Sequence, residues 1–324
     1  MKQTPRKQPQ QGLIRVADGN HITVQPRDSV PSAAIAQNAR DNLQLIPKDC
    51  WVTKGRVHDE VAWILSAGPS LDRLLGNGYL RHSWFNNNGP NKLWTIKHAL
   101  PVLAKHGFSP HFCTVLDPRP IQGISTHGYV RQTLYSAAPK SCKFLVASMT
   151  HPSVTSWLIR NGYEVWGWHS AASGLSTHQK DLDKGVPPGP LQHITNFVQG
   201  GTCSATRSIS LAHYLGFRTA NLIGFDSNLG YKPDDDKIVE MIDGKPIRKY
   251  WETSIGNAPL FWTTGELIAQ IQDLQMFMSD DVADIKISIL GADKGTSLVG
   301  SLNETLVNKT HIKNYKEMLG DWKV

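Results

Sequence analysis

Two short segments rich in glycine and hydroxyl residues carry the chemistry that this chain advertises. In Val61-Ala-Trp-Ile-Leu-Ser-Ala-Gly-Pro-Ser-Leu-Asp72, an apolar run from Val61 to Leu65 stops at Ser66-Ala67-Gly68, and Pro69-Ser70-Leu71 opens a helix. In Gln199-Gly-Gly-Thr-Cys-Ser204, small residues lead into a helix carrying Ala205, Ile209, Ala212 and Leu215. A helix start offers unpaired N–H groups and the positive end of the helix dipole, and glycine lets an anion approach the backbone. Ser66, Gly68, Pro69 and Ser70, with Gly200, Gly201, Thr202 and Ser204, are therefore expected to hold the phosphates of a nucleotide. The same residues also suit a plain strand–turn–helix without a ligand.

Asp117 and Asp226 each follow an apolar run. Either is the type of residue that binds a divalent cation such as Mg2+, or that takes a proton from a hydroxyl nucleophile; either also suits a simple turn cap. Arg119 is placed to neutralise a phosphate. Asn86 and Asn87 carry amides that read a base or a sugar, although Asn runs are ordinary turn material too. His151 and His169 follow strands and are candidates for substrate contact and proton transfer, as are Ser227 and Tyr231 for substrate contact. His98 reads as a core or surface histidine. Asp234-Asp235-Asp236 contains an Asp-x-Asp triplet of the type that binds a metal–diphosphate but reads first as solvated loop, and Trp166 and Trp168 suit a sugar or base platform but read first as core. GxxxxGK[ST], GxSxG and HExxH do not occur, which argues against a P-loop kinase, a serine hydrolase of that type and a zincin.

The elements that must position these residues alternate. The chain has 324 residues, 40% hydrophobic and 19% charged, with a formal net charge of +7, and its pI is about 9.2. That balance suits a folded protein with an anionic partner, whether nucleotide or DNA. Four scattered cysteines and no apolar run near 18 residues lead to the expectation of a cytoplasmic protein with no membrane span. Residues 1–58 read as an N-terminal extension, its first eleven residues mobile, with a small hairpin over Leu13–Val24 and a helix over Ser32–Leu45. Residues 59–300 read as one domain. Strands are expected at Val61–Leu65, Phe112–Leu116, Phe144–Ala147, Glu164–Trp168, Ala220–Phe225 and Ile285–Ile289, and one long helix over Asn91–His106. Thr177–Pro190 reads as a loop, residues 228–262 as a polar insertion lying over a site, and 301–324 as a helical tail. The alternation predicts an α/β, Rossmann-like domain, a mostly parallel sheet with helices on both faces. Ligands bind such sheets beyond the carboxyl ends of the strands, so the candidate residues are expected on one rim.

Three ordered motifs then resemble a known family. Ser66-Ala-Gly-Pro-Ser-Leu71 resembles the GxGPSL segment of the MptE-like family, which includes archaeal 6-hydroxymethylpterin diphosphokinases and relatives of the motility accessory factors that glycosylate flagellin. His106-Gly-Phe-Ser-Pro-His-Phe-Cys-Thr-Val-Leu-Asp117 is similar to that family's HGxxPDxxxxLD segment, with His111 where Asp is usual. Gly200 to Arg207, Leu215-Gly-Phe and Leu222-Ile-Gly-Phe-Asp226 are similar to its GGSV…LGF…LxGxD segment. Asp117-Pro-Arg-Pro120 and Gly224-Phe-Asp-Ser227 resemble a tailed-phage variant, and the GxGPSL segment is similar to that of CMP-sialic-acid-dependent sialyltransferases. Ala67 replaces the family's usual Gly or Asn, and residues 256–262 hold no histidine to match the sialyltransferase base. The resemblance implies a nucleotide site shared by more than one reaction. It leads to the expectation of a transferase, foremost a glycosyltransferase moving a sugar from a nucleotide sugar to a hydroxyl, such as a hydroxymethylated base of phage DNA. A diphosphokinase using ATP and Mg2+ is the alternative within the fold, and a non-catalytic virion or nucleic-acid-binding module is the alternative outside it. Assembly into an oligomer is compatible with each.

Overall fold

The computed structural model describes residues 14–16, 30–86, 88–121, 130–171, 197–198, 200–242, 245–255, 259–279, 284–291, 297–300 and 312–313. In chain order they form β1 (Ile14–Val16), α1 (Ser32–Leu45), β2 (His58–Leu65), α2 (Pro69–Gly76), β3 (Asn91–Ile96), α3 (Leu100–Lys105), β4 (Phe112–Val115), α4 (Gln132–Ser136), β5 (Lys143–Ala147), α5 (Pro152–Arg160) and β6 (Glu164–Trp168). There follow α6 (Ser204–Tyr214), β7 (Phe217–Ile223), β8 (Val239–Ile242), β9 (Lys245–Arg248), β10 (Tyr250–Ile255), β11 (Phe261–Thr264), α7 (Gly265–Ser279), β12 (Lys286–Leu290) and β13 (Ile312–Lys313).

The main sheet has eight strands in the order β13-β12-β7-β2-β3-β4-β5-β6. Every neighbouring pair in it is parallel. β2 sits near the middle, and its Trp63, Ile64 and Leu65 are wholly buried, because a central parallel strand is covered on both faces. Strand order reverses at β2. The chain winds outward through β3 to β6, then returns to place β7 on β2's other side, so the β2/β7 boundary is the topological switch point. Helix α6 reaches the sheet through a buried polar chain. Ser208 Oγ and Thr114 Oγ1 are hydrogen-bonded at 2.8 Å, and Trp94 Nε1 donates to Thr114 Oγ1 at 2.7 Å.

The expected strands at 61–65, 112–116, 144–147, 164–168, 220–225 and 285–289 coincide with β2, β4, β5, β6, β7 and β12. The long helix over Asn91–His106 does not form. Residues 91–96 are β3, and only Leu100–Lys105 is helical. Leu93, Ile96, Leu100 and Leu103 have helical spacing, but Trp94 and Thr95 between them are also buried. An apolar run buried on both faces looks alike in a strand and in a helix.

Residues 82–85 form a single 3-10 turn, and Asn86 leads into the amino end of β3.

The N-terminal segment is integral to the sheet's support. From α1, Asn38 Nδ2 donates to the carbonyls of Pro118 and Met149, both at 3.1 Å, and Asn42 Nδ2 to that of Ser148 at 2.9 Å. These bonds hold the loops that follow β4 and β5. Of the hairpin expected over 13–24, residues 14–16 form β1, which runs antiparallel to β10 with Ile14 facing Ile255, and the remainder lies outside the described residues. The expected insertion carries structure of its own, the β8–β9 hairpin and the β1-β10-β11 sheet. It is tied to the rim where Leu229 N donates to Trp262 O at 2.7 Å and Thr263 Oγ1 to Ser227 O at 2.8 Å. Of the expected helical tail, residues 312–313 are an edge strand on β12 and the remainder lies outside the described residues, as does 177–190.

Candidate functional site

The switch point is closed by the protein's own loops. Ser66 N donates to Ile223 O and Gly68 N to Gly224 O, each at 2.8 Å. A Cβ on Gly68 would stand 2.3 Å from Asp226 Oδ2 and 2.4 Å from Gly224 O. Glycine is thus required here by the chain packing on itself. Asp226, buried at the end of β7, reaches across to α2, where Oδ2 accepts Ser70 N at 2.9 Å and Ser70 Oγ at 2.8 Å. The first helix start that was expected to grip a phosphate therefore already holds a carboxylate, at the place where helix dipole and free N–H groups favour one. Burial pushes the Asp226 pKa up, and the two bonds from Ser70 oppose that rise. Pro69 is covered in turn, with Gly230 of the insertion packed over its ring.

The second helix start is filled in the same way. Gly200 and Gly201 turn with φ of +83° and +76°, a region that favours glycine, and deliver Thr202 to the top of α6. Asp273, from α7, receives three bonds on Oδ2: from Thr202 N at 2.6 Å, Thr202 Oγ1 at 2.7 Å and Thr206 Oγ1 at 2.7 Å. Ser204 turns its carbonyl to Ser208 Oγ at 2.7 Å. One turn before Asp273, Gln270 Oε1 accepts Ser227 Oγ at 2.7 Å. Ser227 has φ of +59°, the one positive value outside glycine among the described residues. Such strain persists only where the surroundings enforce it, and it tends to gather at functional positions.

The groups that remain lie at the carboxyl ends of β3 and β4. Lys97 follows β3, and its buried Nζ pairs with Asp117 Oδ2. Arg119, two residues after Asp117, donates from Nε to Oδ1 at 2.8 Å and from Nη2 to Oδ2 at 2.7 Å. Burial disfavours the Asp117 charge, but the Arg119 hydrogen bonds and the Lys97 charge outweigh it and hold the carboxyl at about 2. Two cations around one carboxylate leave a net positive charge. The Arg119 side chain is 35% exposed and carries that charge to the rim. Burial lowers the Lys97 pKa and Asp117 pulls it back up. His98, next along, opens to solvent. The protein packed around it, and then the Lys97 charge, draw its pKa down to about 4, so its imidazole is neutral at pH 7.

Asp117 is thus an anchor for two cations, and its low pKa removes it as a proton acceptor at neutral pH. Asp117 holds Lys97 and Arg119 through both oxygens, and Asp226 holds Ser70 through Oδ2. Among the described residues no group of three His, Cys, Asp or Glu suits a metal ion. Asn86 stands at the amino end of β3, the opposite rim from Asp117 and Asp226, and so does not join them; Asn87 lies outside the described residues. His111 also precedes its strand, β4. Its Nδ1 accepts Leu93 N at 2.9 Å, the acceptor role an Asp there would fill, which makes the departure at this position structural. His151 is on the correct rim, and its N–H donates to Asp117 O at 3.0 Å. Its ring caps α5, with Nδ1 accepting Ser153 N at 3.1 Å. His169 stacks on Trp51 with centroids 4.4 Å apart. Tyr231 is 65% exposed on the insertion. Sequence reasoning missed Lys97 and Asp273. The one signal for Lys97 was its place directly after an apolar run, two residues past Thr95.

The chain matches the family described as 6-hydroxymethylpterin diphosphokinase MptE-like over residues 34–232. Among solved structures it is similar to a MAf glycosyltransferase from Magnetospirillum magneticum AMB-1, at 13% identity and a TM-score of 0.48, covering 85% of this chain and 38% of that one. The chain thus spans well under half the length of that protein. No curated protein matches. Among the described residues, no helix is long and apolar enough to cross a membrane.

Proposed function

The chain belongs to the MptE-like family, and from that premise we propose that it is a transferase acting on a nucleotide-linked donor, with its donor phosphate seated on the Lys97–Asp117–Arg119 triad. The narrower reading is transfer of a sugar from a nucleotide sugar to a hydroxyl. One observation carries it: fixed cations, held in place by an ionised Asp117, face the rim where ligands bind in this fold. In glycosyl transfer a nucleoside phosphate leaves, and preorganised cations in a partly dry site stabilise that growing charge. Arg119 supplies planar donors suited to a phosphate, and Lys97 supplies a point charge behind it. Diphosphate transfer from ATP calls on carboxylates to hold Mg2+, and the two rim aspartates that would serve have other partners. That favours glycosyl transfer over the diphosphokinase reaction.

The acceptor in this reading is a hydroxyl, and the +7 charge makes hydroxymethylated DNA the first to try. The test is a thermal-shift panel of CMP, UDP, GDP, ATP and their sugars, with and without Mg2+. A ligand bound only by the native state raises the melting temperature. The expected result is a shift with one nucleotide sugar that Arg119→Gln reduces. No shift with any member, together with DNA binding that weakens steeply with salt, would instead favour a nucleic-acid-binding module.

A further inference from the structure

The rim carries several carboxylates, and most of them are committed. Asp117 is locked between Lys97 and Arg119, Asp226 caps α2, and Asp273 caps α6. Glu266, in the first turn of α7, is exposed and takes part in no hydrogen bond or ion pair among the described residues. Its direction follows from the helix. Residues 266, 270 and 273 stand at i, i+4 and i+7, which is one face. Gln270 on that face meets Ser227, and Asp273 meets Thr202 and Thr206. Both contacts belong to the rim. Glu266 continues the same stripe past Gln270 to the amino end of α7, whose first turn is fixed by Leu267 N donating to Thr264 Oγ1 at 3.3 Å. Its charge acts on both Lys97 and Arg119.

Resting on the transferase reading above, we propose that Glu266 is the catalytic base that takes the proton from the acceptor hydroxyl. The triad and Glu266 then divide the work. The donor's phosphate lies on Lys97 and Arg119. The acceptor oxygen, between donor and α7, bonds to the anomeric carbon as the bond from that carbon to the phosphate oxygen breaks. The electron pair leaves with the nucleoside phosphate, and the hydroxyl proton passes to the Glu266 carboxylate. Water in place of the acceptor gives hydrolysis by the same route. A carboxylate suits this because it needs no metal and no further reactant. Lys97 and Arg119, both held by Asp117, are the charged groups nearest in effect to Glu266, and exposed His98, which follows Lys97, is the competing base.

The test uses the full chain and the nucleotide sugar that gives the thermal shift with wild type, and reads release of free nucleoside phosphate. Glu266→Gln should keep the donor-induced shift, since it leaves the triad intact, and should lose about 100-fold or more in turnover, the usual worth of a positioned base. The acidic limb of the wild-type pH profile should disappear, and formate should restore part of the activity of Glu266→Ala. The proposal is overturned if Glu266→Gln turns over within about threefold of wild type, or if His98→Asn removes the acidic limb instead. Should wild type bind no member of the panel, the transferase reading itself falls and takes this inference with it; binding by both proteins with undiminished turnover sinks Glu266 alone.

Discussion

Asp117→Asn is the perturbation that best probes how the rim is held. Lys97 is 7% exposed and Asp117 5%. Removing the carboxylate charge leaves an ammonium buried beside Arg119 with no counter-charge, and breaking a buried pair in this way costs about 3–5 kcal/mol. The upper limit is set by Lys97 giving up its proton. Its ordinary value is 10.5, so neutralising it at pH 7 costs about 5 kcal/mol at roughly 1.4 kcal/mol per unit. Lys97→Met is milder. It leaves Asp117 with both bonds from Arg119, and the thioether fills the volume of the lysine stem, so about 1–2 kcal/mol is lost. The double variant carries neither orphan charge. It should lose about 2 kcal/mol, short of the roughly 4–7 kcal/mol sum of the singles, a coupling of about 2–5 kcal/mol. Urea unfolding with an unchanged slope is the assay. A single-variant loss below about 1 kcal/mol for Asp117→Asn, or additivity of the two changes, would refute the buried triad.

Three further outcomes follow from the same geometry. Asp117 is held at about 2, below its ordinary 3.8. A depressed carboxyl contributes stability that is present above its unfolded value and is lost as pH falls toward the folded one. Acid unfolding should therefore steepen between about pH 4 and 2, and Asp117→Asn should flatten that limb in a pH–urea series. Asp226 has the opposite sign, because burial raises its pKa and its ionised form is the disfavoured one. Asp226→Asn, which keeps an acceptor for Ser70 N, is expected to leave turnover intact and the melting temperature at pH 7 unchanged or higher, while Asp226→Ala should cost about 1–3 kcal/mol for the orphaned donors. Gly68→Ala should cost upward of about 2 kcal/mol, measured by urea unfolding, because its Cβ would meet backbone at 2.4 Å rather than a side chain that can swing away.

Much of the fold was legible because its strands are short apolar runs with clear stops. Val61–Leu65 ends at Ser66-Ala67-Gly68, and Phe112–Val115 gives way to Asp117-Pro118. The parallel rule then placed Ser66–Ser70, Asp117, Arg119, Asp226 and Ser227 on one rim. Two things were hidden. Leu93–Ile96 is buried on both faces and shows no period, so the helical reading of Asn91–His106 carried Lys97 off the rim and brought Asn86 onto it. The occupants of the helix starts were hidden for another reason. Asp226 lies 156 residues from Ser70, and Asp273 lies 71 from Thr202. A glycine-rich helix start advertises a need for negative charge, but local sequence cannot say whether a ligand or a distant carboxylate meets it.

The most direct measurement is therefore the affinity of the donor nucleotide, by titration calorimetry, for Arg119→Gln against Ser70→Ala and Thr202→Val. With the phosphate on the cationic triad, Arg119→Gln loses a charge-assisted bond of about 1.5–3 kcal/mol, which weakens binding about tenfold to a hundredfold. The two helix-start variants should bind within a few-fold of wild type. Undiminished affinity in Arg119→Gln, with binding lost in Ser70→Ala or Thr202→Val, would put the phosphate back at the helix starts and contradict the site described above.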